Sequence, residues 1–220
     1  MGLWAWLASP ARSALVPVSC EGILRHVETD AGQRKRCKRW DIPWSVHFLT
    51  FSCFGRRAFL SKDRSRRWLL AALERARALH AFDLWGWVIM PEHVHLLIWA
   101  RPETEISPVL KSVKQPVARA ALAWVRREAP QFLPQMLDLQ PNGRRSYRFW
   151  QRGGGYDRSM RTVRETYEKL HYIHQNPVHR GLADRAEDWP WSSARAWALG
   201  IDEPVRIDRG SFPDPEVTRF

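Results

Sequence analysis

The stretch Met90-Pro91-Glu92-His93-Val94-His95-Leu96-Leu97-Ile98-Trp99 constrains the fold more than any other part of the chain. It is an apolar run of strand length, opened by Pro91, with two histidines one residue apart. Successive side chains of a strand point to opposite faces. His93 and His95 therefore share a face, and Val94, Leu96 and Ile98 point the other way, into a core. Two imidazoles side by side on a rigid strand are half of a metal site. Such a pair also occurs exposed and without function, so the chain must be searched for a nucleophile and a third ligand.

Around this stretch the pattern alternates between strands and helices. Val46 to Phe54 is rich in aromatic and β-branched residues and reads as a strand ended by Gly55. Ser61 is placed to cap a helix reaching about His80, with Leu69, Leu73, Ala76 and Leu79 at helical spacing. Phe82 to Met90 reads as a strand joined to His93–Trp99 by a tight hairpin or a bend. Ser107-Pro108 opens a helix to about Glu128, with a kink or break expected at Pro116. Residues 130–141 read as a loop. A last helix runs from about Arg161 to Gln175, where Asn176-Pro177 should stop it. The expected class is α+β, and the expected division is an N-terminal extension over 1–40, a domain over 41–198 and an irregular tail over 199–220.

With 220 residues, 45% of them hydrophobic, the chain can bury a real core. A formal charge of +12 points to a polyanionic partner, most commonly nucleic acid. The basic run Arg34-Lys35-Arg36-Cys37-Lys38-Arg39 suits phosphates. Cys20, Cys37 and Cys53 are too few and too scattered for a disulfide framework or a cysteine-based zinc site. A cytoplasmic location fits, with no membrane span and no signal peptide expected.

Residues 140–164 hold seven arginines and one acid, Asp157. Arg144, Arg145, Arg148 and Arg152, interleaved with Tyr147, Phe149 and Trp150, suggest phosphate pairing and base stacking. Gly153-Gly154-Gly155 follows, a mobile backbone or a close approach. On the last helix, Val163, Tyr167 and Leu170 fall on one side and Tyr172 nearly opposite, at about 100° per residue. Tyr172 is thus no obvious packing residue. Gln175 and Asn176 flank it with amide oxygens able to meet a hard cation. These features make Tyr172 the candidate nucleophile.

His93-Val94-His95, followed by Tyr172-Ile173-His174-Gln175-Asn176-Pro177-Val178, resembles the single-tyrosine HUH transposases, and within them the REP-associated tyrosine transposases. The likeness spans roughly residues 41–198. It includes Met90-Pro91-Glu92, Phe149-Trp150-Gln151-Arg152, the segment Asn176 to Leu182, and Trp189-Pro190-Trp191-Ser192-Ser193. It implies a central antiparallel sheet with packed helices, ferredoxin-like or RRM-type. It also implies cleavage and rejoining of single-stranded or hairpin DNA through a 5′-phosphotyrosine at Tyr172. His93, His95 and Asn176 would hold Mg²⁺ or Mn²⁺, with Gln175 the competing third ligand because Pro177 can pull Asn176 out of helical geometry. Two imidazoles and an amide suit Mn²⁺ at least as well as Mg²⁺. The family contains shared-site homodimers and monomers alike. The other readings are a catalytically silent hairpin-DNA-binding regulator and a metal-dependent nuclease that uses water. The latter is disfavoured because no cluster of carboxylates surrounds the histidine pair.

Overall fold

The computed structural model describes residues 44–217. The N-terminal extension with its basic run lies outside the described residues. Four strands, β1 (Ser45–Ser52), β2 (Asp83–Ile89), β3 (His93–Ala100) and β6 (Tyr156–Met160), form an antiparallel sheet in the order β2-β3-β1-β6. Helix α1 (Asp63–His80) joins β1 to β2, and α2 (Ile106–Glu128) follows β3. This is the split βαβ order of a ferredoxin-like domain. β2 and β3 form the hairpin, closed by Met90 N donating to His93 O at 2.9 Å.

Alternation along the strands divides the sheet into two working faces. Leu49 and Phe51 of β1, Leu84, Trp87 and Ile89 of β2, and Val94, Leu96 and Ile98 of β3 join one core with α1 and α2. Helix α4 (Val163–His179) lies against the sheet strands β2 and β3 and buries Leu170 and Ile173. A Cβ built on Gly86 would come 2.6 Å from Leu170 Cδ1, so the helix sits close to β2. Thr162 starts α4, its Oγ1 accepting from Glu165 N at 3.1 Å.

Several local expectations are corrected. Ser61 is not a cap, since α1 begins after Lys62. Leu69, Leu73 and Ala76 of the expected stripe are buried, with Ala72 beside them, but Leu79 is exposed. Helix α2 starts after Glu105 and runs unbroken past Pro116, which only lacks the donor for one carbonyl. Helix α4 likewise passes Asn176 and Pro177, ending at His179. Pro177 lies in the last turn, where the carbonyls of Asn176 and Pro177 are taken by Arg180 N and Leu182 N. Residues 130–141 are not a plain loop. They contain the short helix α3 (Leu133–Met136) and β4 (Leu137–Leu139), which pairs with β5 (Arg145–Tyr147).

The C-terminal segment is irregular, yet it belongs to the domain. Ser193 N donates to Trp87 O, Ile89 N to Trp191 O and Asp208 N to Leu84 O. Asp208 Oδ2 accepts from Leu84 N at 2.8 Å. The outer edge of β2 is thereby covered, as an exposed strand edge must be. Trp85, Trp197 and Tyr167 surround Phe212, and α5 (Ala194–Leu199) closes the region.

Candidate active site

The sheet face bearing α4 collects the candidate residues. The Nε2 atoms of His93 and His95 converge to 3.0 Å. His93 Nδ1 donates to Glu92 Oε1 at 3.0 Å, and Arg180 Nη1 donates to the same oxygen at 2.8 Å. The hydrogen bond from His93 brings the Glu92 pKa down to about 2, with Arg180 assisting and burial opposing. An ionised carboxylate only accepts, so His93 Nδ1 carries a proton and Nε2 is the atom turned toward His95. Thr50, opposite His95 in the β1–β3 register, places Oγ1 2.7 Å from His95 Nδ1. A hydroxyl both donates and accepts, so Thr50 accommodates either His95 tautomer. Burial, then the charges of His93 and Lys169, push the His95 pKa well below the usual imidazole range.

Asn176 completes the group from α4. Its Nδ2 lies 3.3 Å from His95 Nε2, and a half-turn of the amide presents Oδ1 instead. Pro177 has not displaced it, because the helix continues. Among the described residues Gln175 makes no hydrogen bond to the pair, and its direction is about 100° away on the helix. Tyr172 stands one turn earlier than Asn176. Its ring is edge-on to His95 with centroids 5.4 Å apart, and to Phe48 at 6.0 Å. Phe48 in turn stacks on His95. Tyr167 is the packing tyrosine of this helix. It is 3% exposed, its hydroxyl donates to Pro213 O, and burial raises its pKa to about 12.

Among the described residues no three His, Cys, Asp or Glu side chains gather as a ligand set. A cation here would therefore need the Asn176 amide beside the two imidazoles. The donors fit one. Two nitrogens 3.0 Å apart have the spacing of neighbouring ligands on one ion when each bond is about 2.1 Å. Glu92 and Thr50 supply the outer hydrogen bonds that such histidines need.

The arginine-rich segment is only partly a surface. Arg144 and Arg145 are exposed at the β4–β5 turn. Arg148 Nε and Arg152 Nη2 both bind Asp138 Oδ2, Arg152 at 2.7 Å, and Arg148 before Arg152 lowers the Asp138 pKa. Two guanidiniums and one carboxylate leave a single net positive charge. Trp150 corrects the stacking expectation, because it is 6% exposed. Its ring meets Phe51 and Phe149 edge-on, and its Nε1 donates to Lys114 O at 2.8 Å. Gly155 is a close approach: a Cβ there would lie 2.2 Å from Thr50 O, at φ +82°.

Glu92, Thr50, Phe48, Arg180 and Asp138 were not singled out by sequence reasoning. Glu92 borders a histidine and Arg180 lies in the flagged Asn176–Leu182 segment, so both left a trace. Thr50 and Phe48 left none, because cross-strand register is not visible in the sequence.

Comparison with known proteins finds relatives that cover most of the described domain. The REP-associated tyrosine transposase of Escherichia coli strain K12 is 25% identical over 161 residues, covering 71% of this chain and 80% of its own. A Haemophilus influenzae relative of the same kind is 25% identical over 142 residues, covering 60% of this chain and 74% of its own. A solved REP-associated tyrosine transposase, bound to a REP hairpin, superimposes with a TM-score of 0.57 at 21% identity, over 83% of this chain and 96% of that one. Its likeness shows that the two share a fold. The family model described as "Transposase IS200 like" matches residues 44–153, half of the 220. The chain belongs to the IS200-like transposase family.

Proposed function

We propose that this transposase cleaves and rejoins single-stranded hairpin DNA of palindromic repeats through a 5′-phosphotyrosine on Tyr172. One observation carries the reading: the Tyr172 ring stands 5.4 Å from His95, whose Nε2 meets both His93 Nε2 and the Asn176 amide. The relative solved with a REP hairpin supports the choice of DNA form. His93, His95 and Asn176 would hold Mg²⁺ or Mn²⁺. When bound, the ion supplies a Lewis acid for the non-bridging phosphate oxygens and a template for in-line attack.

The chain's own residues do the rest. Glu92 and Thr50 orient the imidazoles, and Phe48 fixes the plane of His95 and the edge of Tyr172. The phenol oxygen bonds to phosphorus as the bond from phosphorus to O3′ breaks. The phenol's proton is balanced by the proton on the new 3′-hydroxyl. The phosphotyrosine preserves the bond energy, so that hydroxyl can attack it and reseal or transfer the strand.

The test is denaturing electrophoresis after incubation with labelled hairpin DNA from palindromes flanking the gene and Mn²⁺, with Tyr172→Phe alongside. Label should stay on the wild-type protein and not on the variant. Label retained by Tyr172→Phe removes Tyr172 as nucleophile. Cut DNA without labelled protein replaces the reading with a water-using nuclease. Intact DNA that only shifts on a native gel replaces it with a hairpin-binding regulator. His93→Ala and His95→Ala should each abolish Mn²⁺-dependent adduct, and unchanged rates would refute the metal assignment.

A further inference from the structure

We propose that Lys169 supplies the cation that grips the phosphate attacked by Tyr172. This rests on Tyr172 being the nucleophile and adds a phosphate-binding residue to that site. Lys169 and Tyr172 are three residues apart on α4, neighbours on the helix surface. The Lys169 ammonium lies 5.3 Å from the Tyr172 ring centroid and 5.5 Å from that of Phe48. Phe48 stacks on His95. Ammonium, phenol and imidazole are therefore gathered around the one Phe48 ring.

The two acids nearest Lys169 on α4 hold other partners. Glu165 takes Arg158 Nη2 at 2.9 Å and Arg161 N at 2.8 Å. Glu168 takes Arg164 Nε at 2.9 Å. Lys169 is left against two ring faces, in part removed from water. Burial, then the Arg158 guanidinium, lowers its pKa, with Glu168 and Glu165 opposing. A half-buried ammonium on ring faces beside a second cation is a poor resting place. A phosphate oxygen gives it a charge-assisted hydrogen bond, the stronger partner. As the phenol oxygen bonds to phosphorus and O3′ departs, the non-bridging oxygens carry the charge. Lys169 keeps its proton and donates it as a hydrogen bond throughout.

The experiment compares wild type, Lys169→Met and Lys169→Arg in single-turnover adduct formation with hairpin DNA at saturation. Lys169→Met should slow the adduct at least about tenfold, and Lys169→Arg should restore most of the rate. A second arm uses binding alone, in chelator, with DNA whose cleaved position carries one neutral methylphosphonate. That change should weaken wild-type binding severalfold and leave Lys169→Met indifferent. A merely structural lysine would not show this dependence on one phosphate charge. Equal adduct rates in wild type and Lys169→Met overturn the inference, as does an equal methylphosphonate penalty in both. A wild type that forms no adduct at all overturns the nucleophile reading, and the inference with it.

Discussion

Replacing Gly155 by alanine should damage the protein far more than the same change two residues earlier. Gly153 and Gly155 have nearly equal backbone angles, φ +85° and +82°. Each alanine pays for a left-handed backbone, about 1–2 kcal/mol. At Gly153 a Cβ meets nothing within 4 Å, so the penalty ends there. At Gly155 the Cβ would stand 2.2 Å from Thr50 O and 3.1 Å from Phe51 Cβ. The obstacle is backbone of the central strand β1, which cannot rotate away. Overpacking of this kind adds about 1–3 kcal/mol. The sum is about 2–5 kcal/mol for Gly155→Ala. For a domain of this size each kcal/mol is about 2–4 °C of melting temperature. Differential scanning calorimetry should therefore place Gly155→Ala several degrees below Gly153→Ala. The displaced residue, Thr50, is the hydrogen-bond partner of His95, so the variant should also lose metal-dependent adduct out of proportion to its stability. Melting temperatures within a degree of each other would refute the close-approach argument.

Stability should fall between pH 6.5 and 5. His174 is fully buried, its Nε2 is 2.9 Å from Ser193 Oγ, and burial lowers its pKa to about 3. The unfolded chain binds the proton first, so stability is complete above pH 6.5 and is lost as pH drops toward 3, by about 2 kcal/mol at pH 5. His95 acts in the same direction, so the test is the difference between wild type and His174→Gln in urea midpoints at pH 7.5 and 5; equal slopes would remove His174 from the account. Trp150→Ala should cost about 3–5 kcal/mol in urea unfolding, and a loss of DNA affinity with unchanged stability would restore the stacking role. Arg144→Ala with Arg145→Ala should flatten the slope of log affinity against log salt by about 1–2, more than Arg148→Ala, whose charge is already shared with Asp138; an unaltered slope would take the β4–β5 turn off the DNA path. Arg180→Ala should weaken Mn²⁺ binding by about tenfold in calorimetry by loosening Glu92 behind His93, and unchanged affinity would show that Glu92 needs no second donor.

The half of the site on β3 was legible because an alternating strand displays its faces in the sequence. Val94, Leu96 and Ile98 had to be buried, so His93 and His95 had to share the opposite side. The half on α4 was legible from helical angle, which separated packed Tyr167 from Tyr172. Pro177 misled, because a proline in the last turn of a helix removes little and the rule against prolines applies to interiors. β6 was missed for a different reason. Tyr156-Asp157-Arg158-Ser159-Met160 is an edge strand with few apolar residues, and only its pairing with β1 makes it a strand. The partner of Arg148 and Arg152 was missed because Asp138 lies just before the window in which the charges were counted. The tail reads as irregular and is so, but its packing left no trace in the sequence because it runs through scattered residues, Val205, Ile207, Asp208 and Phe212, without a period.

The two halves of the site are carried by different pieces of the chain, far apart in sequence and joined by docking. A growing or partly unfolded chain that has made β3 alone holds both imidazoles without Tyr172 or Asn176. The hydroxyl and the amide arrive together on a helix that is useful only once Leu170 and Ile173 have settled against Gly86. The complete group is thus a property of the finished domain, and a fragment ending before α4 carries neither Tyr172 nor Asn176.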